Sequence, residues 1–171
     1  AGLEKGLTHY APTPGDKASR EAIAAKLNRE NSIVRKPEHI SITAGAKHAI
    51  YLVMQTLLDP GDEVIVPTPA WVSYRPLVEL AGGSVVEVPG SVESGFKVTP
   101  QQIAAAVTPR TRAIILNSPS NPCGIAYSEQ ELRAIVAALA PHPQVTIVSD
   151  EIYEKLVYPE MAPGLKAWSP G

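Results

Sequence analysis

Four short apolar runs, Glu63-Val-Ile-Val66, Ser84-Val-Val-Glu-Val88, Arg112-Ala-Ile-Ile-Leu116 and Val145-Thr-Ile-Val148, are separated by stretches with helical signatures. A strand that is apolar at successive positions, rather than at every second one, has to be covered on both faces. Strands of that kind alternating with helices predict an α/β domain of three layers, a mostly parallel sheet with helices on both sides.

The intervening helices carry their own marks. A helix is predicted from about Ala18 to Asn31, and Gly45 opens a second in which Ala49, Ile50, Val53, Met54, Leu57 and Leu58 share one face, stopped by Asp59-Pro-Gly-Asp62. Tyr74 to Ala81 reads as a short third helix. Thr99-Pro100 with Gln102 begins a fourth: threonine caps, proline takes the first helical position and glutamine reaches back. Ser128 with Glu131 is another capping box, heading a helix whose apolar face is Leu132, Ile135, Val136 and Leu139. His39-Ile-Ser-Ile-Thr43 alternates and is predicted to be an additional short strand. Residues 1–15, rich in Gly, Pro and Thr, read as an extended N-terminal arm, and 16–171 as part of one larger domain.

With 171 residues, 44% of them apolar, the chain can bury a sizeable core. Its 15 basic and 17 acidic residues give no cationic excess for nucleic acid, and no apolar stretch is long enough for a bilayer. No signal-like leader is present, so the expected compartment is the cytoplasm. The single cysteine, Cys123, and four dispersed histidines offer neither an intrachain disulfide nor metal-ligand spacing, so no metal is expected. The loop-like Ser-Pro-Gly ending suggests a fragment.

In open parallel sheets ligands gather beyond the carboxyl ends of the strands. Two polar clusters fall there: Asn117-Ser-Pro-Ser-Asn-Pro-Cys-Gly124 and Ser149-Asp-Glu-Ile-Tyr153. Asp150 directly follows a buried strand, where a carboxylate needs a cation or a strong donor; it reads equally well as a turn or cap carboxylate. Asn121 precedes Pro122 in a tight loop where a cis peptide costs comparatively little, although an ordinary turn explains the pair as well. Tyr153 and Trp71, taken singly, read as core residues. Gly45-Ala46-Lys47 stands at a strand-to-helix turn whose free amides suit phosphate, yet the chain contains neither G-x-x-x-x-G-K-[ST] nor G-x-G-x-x-G.

In order and spacing these loops resemble those of the class I/II pyridoxal 5'-phosphate-dependent aminotransferases of the aspartate aminotransferase fold family, over nearly the whole chain. The family's Asn-Pro-Thr-Gly loop corresponds to Asn121-Pro-Cys-Gly124, its Ser-Asp-Glu-x-Tyr segment to Ser149–Tyr153, its Gly-Gly-Lys turn to Gly45-Ala-Lys47, and its Trp-x-x-Tyr segment to Ala70–Tyr74; Tyr10 and Gly15 resemble the arm motif near a dimer interface. The resemblance implies the large domain of that fold, incomplete here. It implies that Asp150 pairs with the cofactor's pyridine nitrogen, that Asn121 and Tyr153 bond its phenolic oxygen, that the amides of Ala46 and Lys47 hold its phosphate, that Trp71 stacks on its ring, and that Tyr10 reaches the phosphate of a neighbouring subunit in a homodimer. Amino acids and 2-oxo acids are the implied substrates.

Cys123 stands where the family has threonine and Ala46 where it has glycine. The family's Schiff-base lysine, in a Ser-x-x-Lys motif, and its substrate-clamping arginines are expected beyond Gly171, so the 171 residues alone are expected to be inactive. Lys155 and Lys166 read as surface residues. An aminotransferase-like sensor domain of a transcriptional regulator, or a β-lyase or cyclopropane-forming synthase on the same scaffold, would keep these cofactor residues too.

Overall fold

The computed structural model describes residues 2–6 and 8–158 and divides into two compact units, the first reaching Ala49 and the second beginning at Ile50. In the first, α1 (Lys17–Asn31) starts where the Asp16 side chain accepts the Ser19 N–H at 2.9 Å, and it ends at Ser32 in the left-handed region. Arg20 ties this helix to its surroundings by donating to the carbonyls of Gly15 (3.2 Å) and Pro37 (3.0 Å). Gly15 is required twice over. Its φ is +92°, and a Cβ there would stand 2.7 Å from the Cβ of Ile42.

The strand predicted at 39–43 is absent. Pro37–His39 forms a single 3-10 turn closed by the Ile40 N–H on the Pro37 carbonyl at 3.1 Å. The Ile42 N–H then bonds the Pro14 carbonyl at 3.0 Å, a single hydrogen bond rather than a rung of a ladder. Alternating isoleucines meet the pattern of a strand, but among the described residues no neighbouring strand supplies the partners.

Helix α2 (Ala46–Leu57) begins in the first unit and contributes Ile50 and Met54 to the second. The second unit is built on a four-stranded parallel sheet ordered β2-β1-β3-β4, with β1 at Glu63–Thr68, β2 at Ser84–Pro89, β3 at Thr111–Asn117 and β4 at Thr146–Asp150. Successive residues of the two central strands serve opposite faces. Val64, Val66, Ala113 and Ile115 pack with Ile50, Met54 and the apolar side of α3 (Tyr74–Leu80); Ile65, Ile114 and Leu116 pack with Ile103 of α4 (Pro100–Ala106) and Leu132, Ile135 and Leu139 of α5 (Glu129–Leu139). The two central strands are thus covered on both sides, as their unbroken apolar runs require, whereas the edge strands β2 and β4, predicted to be covered in the same way, are only partly buried. Of the faces predicted for α2 and α5, Val53 remains partly exposed and Val136 is half-buried.

Both predicted capping boxes form. Thr99 accepts the Gln102 N–H at 3.2 Å while the Gln102 side chain accepts the Thr99 N–H at 2.8 Å, and Ser128 and Glu131 do the same at 3.2 and 2.6 Å. At the amino edge of the sheet the buried Glu63 carboxylate accepts from Thr108 Oγ1 at 2.6 Å and from the Arg110 guanidinium. The Thr108 hydrogen bond, followed by Arg110, holds its carboxyl below the usual range. Among the described residues no helix is long and apolar enough to cross a membrane.

Candidate cofactor site

The strand order places β1 beside β3, and the helices that follow these two strands cover opposite faces of the sheet. The chain therefore parts at their carboxyl ends, which opens a crevice of the kind in which α/β sheets bind ligands. Trp71 and Tyr74 follow β1, Asn117 and Asn121 follow or end β3, and Asp150 ends β4.

These residues form one connected chain. Asn117 and Asp150 are paired across the strands, and Asn117 Nδ2 donates to the Asp150 carbonyl at 2.9 Å. Asn117 Oδ1 accepts the Asn121 N–H at 2.7 Å, which fixes the start of the second loop. Tyr74 Oη donates to Asp150 Oδ2 at 2.6 Å, and the Tyr74 and Trp71 rings form a T-shaped pair with centroids 5.4 Å apart at 88°. The remaining Asp150 oxygen, Oδ1, accepts the Ile152 N–H at 3.3 Å. Asp150 therefore serves its own turn through Oδ1 and receives the Tyr74 hydroxyl through Oδ2.

Tyr74 is 3% exposed. Burial, then its hydrogen bond to Asp150 and the charge of that carboxylate, push the phenol far above the ordinary tyrosine range. A neutral phenol can donate to the carboxylate.

The second loop is held by the Gly124 N–H on the Ser120 carbonyl and the Ser120 N–H on the Ile125 carbonyl, both at 2.8 Å, and the Asn121-Pro122 peptide is cis. Asn121 and Tyr153 line one cavity of about 310 Å³ with Ser120, Pro122, Leu156 and Tyr158. Cys123, half-buried with a free thiol, is not among its walls.

Four of the residues singled out in the sequence, Trp71, Asn121, Asp150 and Tyr153, thus gather at the carboxyl ends of the strands. Tyr10 is fully exposed, and Ala46 and Lys47 form the first turn of α2 after Gly45, whose φ is +90°. Their backbone N–H groups belong to the set for which an α-helix supplies no carbonyls of its own. Lys155 is exposed, while Lys166 lies outside the described residues. Among the described residues no group of His, Cys, Asp or Glu side chains is arranged to hold a metal ion.

Two members of the cluster had no assigned role in the sequence reading, Tyr74 and Asn117. The available signal for Tyr74 was its place three residues after Trp71 at the mouth of a strand; for Asn117 it was its position as the last polar residue of an apolar run.

The chain is similar to several known proteins. The aspartate aminotransferase of Geobacillus stearothermophilus is 47% identical over 173 residues, covering 96% of this chain and 44% of that protein. The structure of the Thermus thermophilus aspartate aminotransferase with maleate superposes with a TM-score of 0.92 at 45% identity, over 99% of this chain and 43% of that one. An aromatic aminotransferase from Pyrococcus horikoshii gives a TM-score of 0.91 at 40% identity, over 98% and 44%. The chain spans less than half the length of each. The family described as aminotransferase class I and II matches residues 1–169, and the chain belongs to that family.

Proposed function

We propose that the full protein is a pyridoxal 5'-phosphate-dependent aminotransferase, moving an amino group between an amino acid and a 2-oxo acid, and that it works as a homodimer in the cytoplasm. In this reading residues 1–15 are an arm and 16–171 belong to the large cofactor-binding domain. The observation that carries the reading is the Asp150 carboxylate, held by Tyr74 on a backbone that Asn117 anchors, at the strand ends where Asn121 and Tyr153 line a cavity.

The donor set suits the cofactor. An anchored carboxylate is a partner for a protonated ring nitrogen, and an amide with a phenol is a pair for a ring oxygen. When bound, pyridoxal phosphate supplies an acceptor for the electrons left behind as an amino acid loses its α-proton. Asp150 holds the proton on the ring nitrogen, Asn121 and Tyr153 bond the ring oxygen, and Trp71 covers one ring face. The parts proposed for Ala46 and Lys47 at the phosphate, and for Tyr10 at the phosphate of the second subunit, rest on the resemblance of their motifs.

The names of the relatives make aspartate the first amino acid to assay. The full-length protein, supplied with cofactor, L-aspartate and a 2-oxo dicarboxylic acid, is expected to exchange the amino group. Asp150→Ala should abolish the exchange while leaving the far-ultraviolet circular dichroism unchanged. An active Asp150→Ala protein, or a wild type unable to transfer between any amino and 2-oxo acid pair, would overturn the reading.

A further inference from the structure

Tyr74 is anchored at three points. Its backbone N–H bonds the Trp71 carbonyl at 3.1 Å, its ring is buried in the core on the α2 and α3 side of the sheet, and that ring stands perpendicular to Trp71. A side chain whose rotamer is fixed by core packing delivers its hydroxyl to one point in space. At that point lies Asp150 Oδ2, 2.6 Å away, the short distance expected when a hydroxyl donates to a carboxylate. The other carboxylate oxygen has only the longer contact with the Ile152 N–H at 3.3 Å among the hydrogen bonds seen here. Of these two contacts, the phenol therefore sets the carboxylate's orientation. The same ring meets the indole proposed to cover the cofactor face, so one side chain governs two contacts made at different parts of the cofactor ring.

We propose that Tyr74 is the positioning residue of the cofactor site: its core-anchored phenol aims the Asp150 carboxylate at the ring nitrogen while its ring packs perpendicular to Trp71. The proposal rests on the reading that Asp150 meets that nitrogen. Tyr74 touches neither substrate nor cofactor in it, and acts through its two neighbours.

The test compares two ligands on the full-length protein by equilibrium dialysis: pyridoxal 5'-phosphate, and the analogue whose ring nitrogen is replaced by a C–H group. Wild type should prefer the natural cofactor. Tyr74→Phe, which keeps the ring and its packing, should lose about tenfold in affinity for the natural cofactor, since a hydrogen bond to a charged group is being removed, and less than about twofold for the analogue. Equal losses for both ligands would make Tyr74 a general packing residue and overturn the proposal, as would unchanged affinity for both. A wild type that does not distinguish the two ligands would instead remove the pairing of Asp150 with the nitrogen, and the proposal with it. Matching circular dichroism of the unliganded proteins establishes that the comparison is between folded states.

Discussion

Asn117 and Asp150 face each other at the carboxyl ends of β3 and β4, and the Asn117 side chain joins the Asp150 carbonyl on one side to the Asn121 N–H on the other, at 2.9 and 2.7 Å. One amide thus sets the distance between the two loops that supply most of the candidate site. It donates to one and accepts from the other, a combination few side chains can provide.

Replacing Asn117 should therefore loosen both loops together. Asn117→Ala is expected to cost about 1–3 kcal/mol, the range for leaving part-buried backbone groups without partners. Asn117→Asp should cost more, because an oxygen would then oppose the Asp150 carbonyl and bring a second negative charge toward its carboxylate. Urea denaturation of the full-length protein measures the order, and hydrogen exchange of the Asn121 amide locates the effect; equal stability of all three proteins would contradict it.

The Glu63 carboxyl titrates below its ordinary value because Thr108 and Arg110 bond the charged form. A group whose folded pKa is depressed stabilises the protein above its unfolded pKa, and that contribution is lost as pH falls through the folded value. Stability should accordingly decline from about pH 4.5 downward, the value from which this group is shifted. In Glu63→Gln that part of the decline should be missing, and the variant should be the less stable protein at neutral pH. Denaturation midpoints measured between pH 7 and about pH 3 give the comparison.

Thr99→Ala and Ser128→Ala each remove the side-chain oxygen of a complete capping box. A loss of about 0.5–2 kcal/mol is expected from each. Amide exchange should accelerate first in the opening turn of the affected helix, α4 or α5, and a variant with unaltered exchange there would show the cap to be dispensable.

Ile114 and Ile115 are adjacent, 0% and 2% exposed, and belong to different hydrophobic cores. Truncating either to Ala should cost about 2–5 kcal/mol. Methyl resonances of Leu132 and Ile135 should respond to the change at Ile114, and those of Met54 and Leu77 to the change at Ile115. Responses in the opposite helices would mean that the strand faces are assigned the wrong way round.

What could be read from the sequence was local. Thr99-Pro-Gln-Gln102 and Ser128-x-x-Glu131 hold their full capping chemistry within one turn, and the apolar runs of β1 and β3 state their burial without reference to any other segment. What escaped was pairwise and distant. Tyr74 and Asp150 lie 76 positions apart, and nothing at either position names the other. Ile40 and Ile42 failed in the reverse sense, since their alternation was genuine but no strand among the described residues lies beside them. Asp150, Asn121, Trp71 and Tyr153 were singled out because four loops resembled a family in order and spacing, where each loop alone read as a turn, a cap or a core position.

The sheet is a single layer shared by two cores, and this restricts where the chain can change length. One residue inserted within β3 would send Ile114 to the side now held by Ile115, transpose both interiors at once, and carry Asn117 out of step with Asp150. Insertions and deletions should then be tolerated only in the connections, such as the exposed turn at 91–95, where no interior is partitioned. Members of this family that differ greatly in sequence should therefore still keep the strand ends in phase, so that new substrates arise from altered loops on an unaltered count of strand residues.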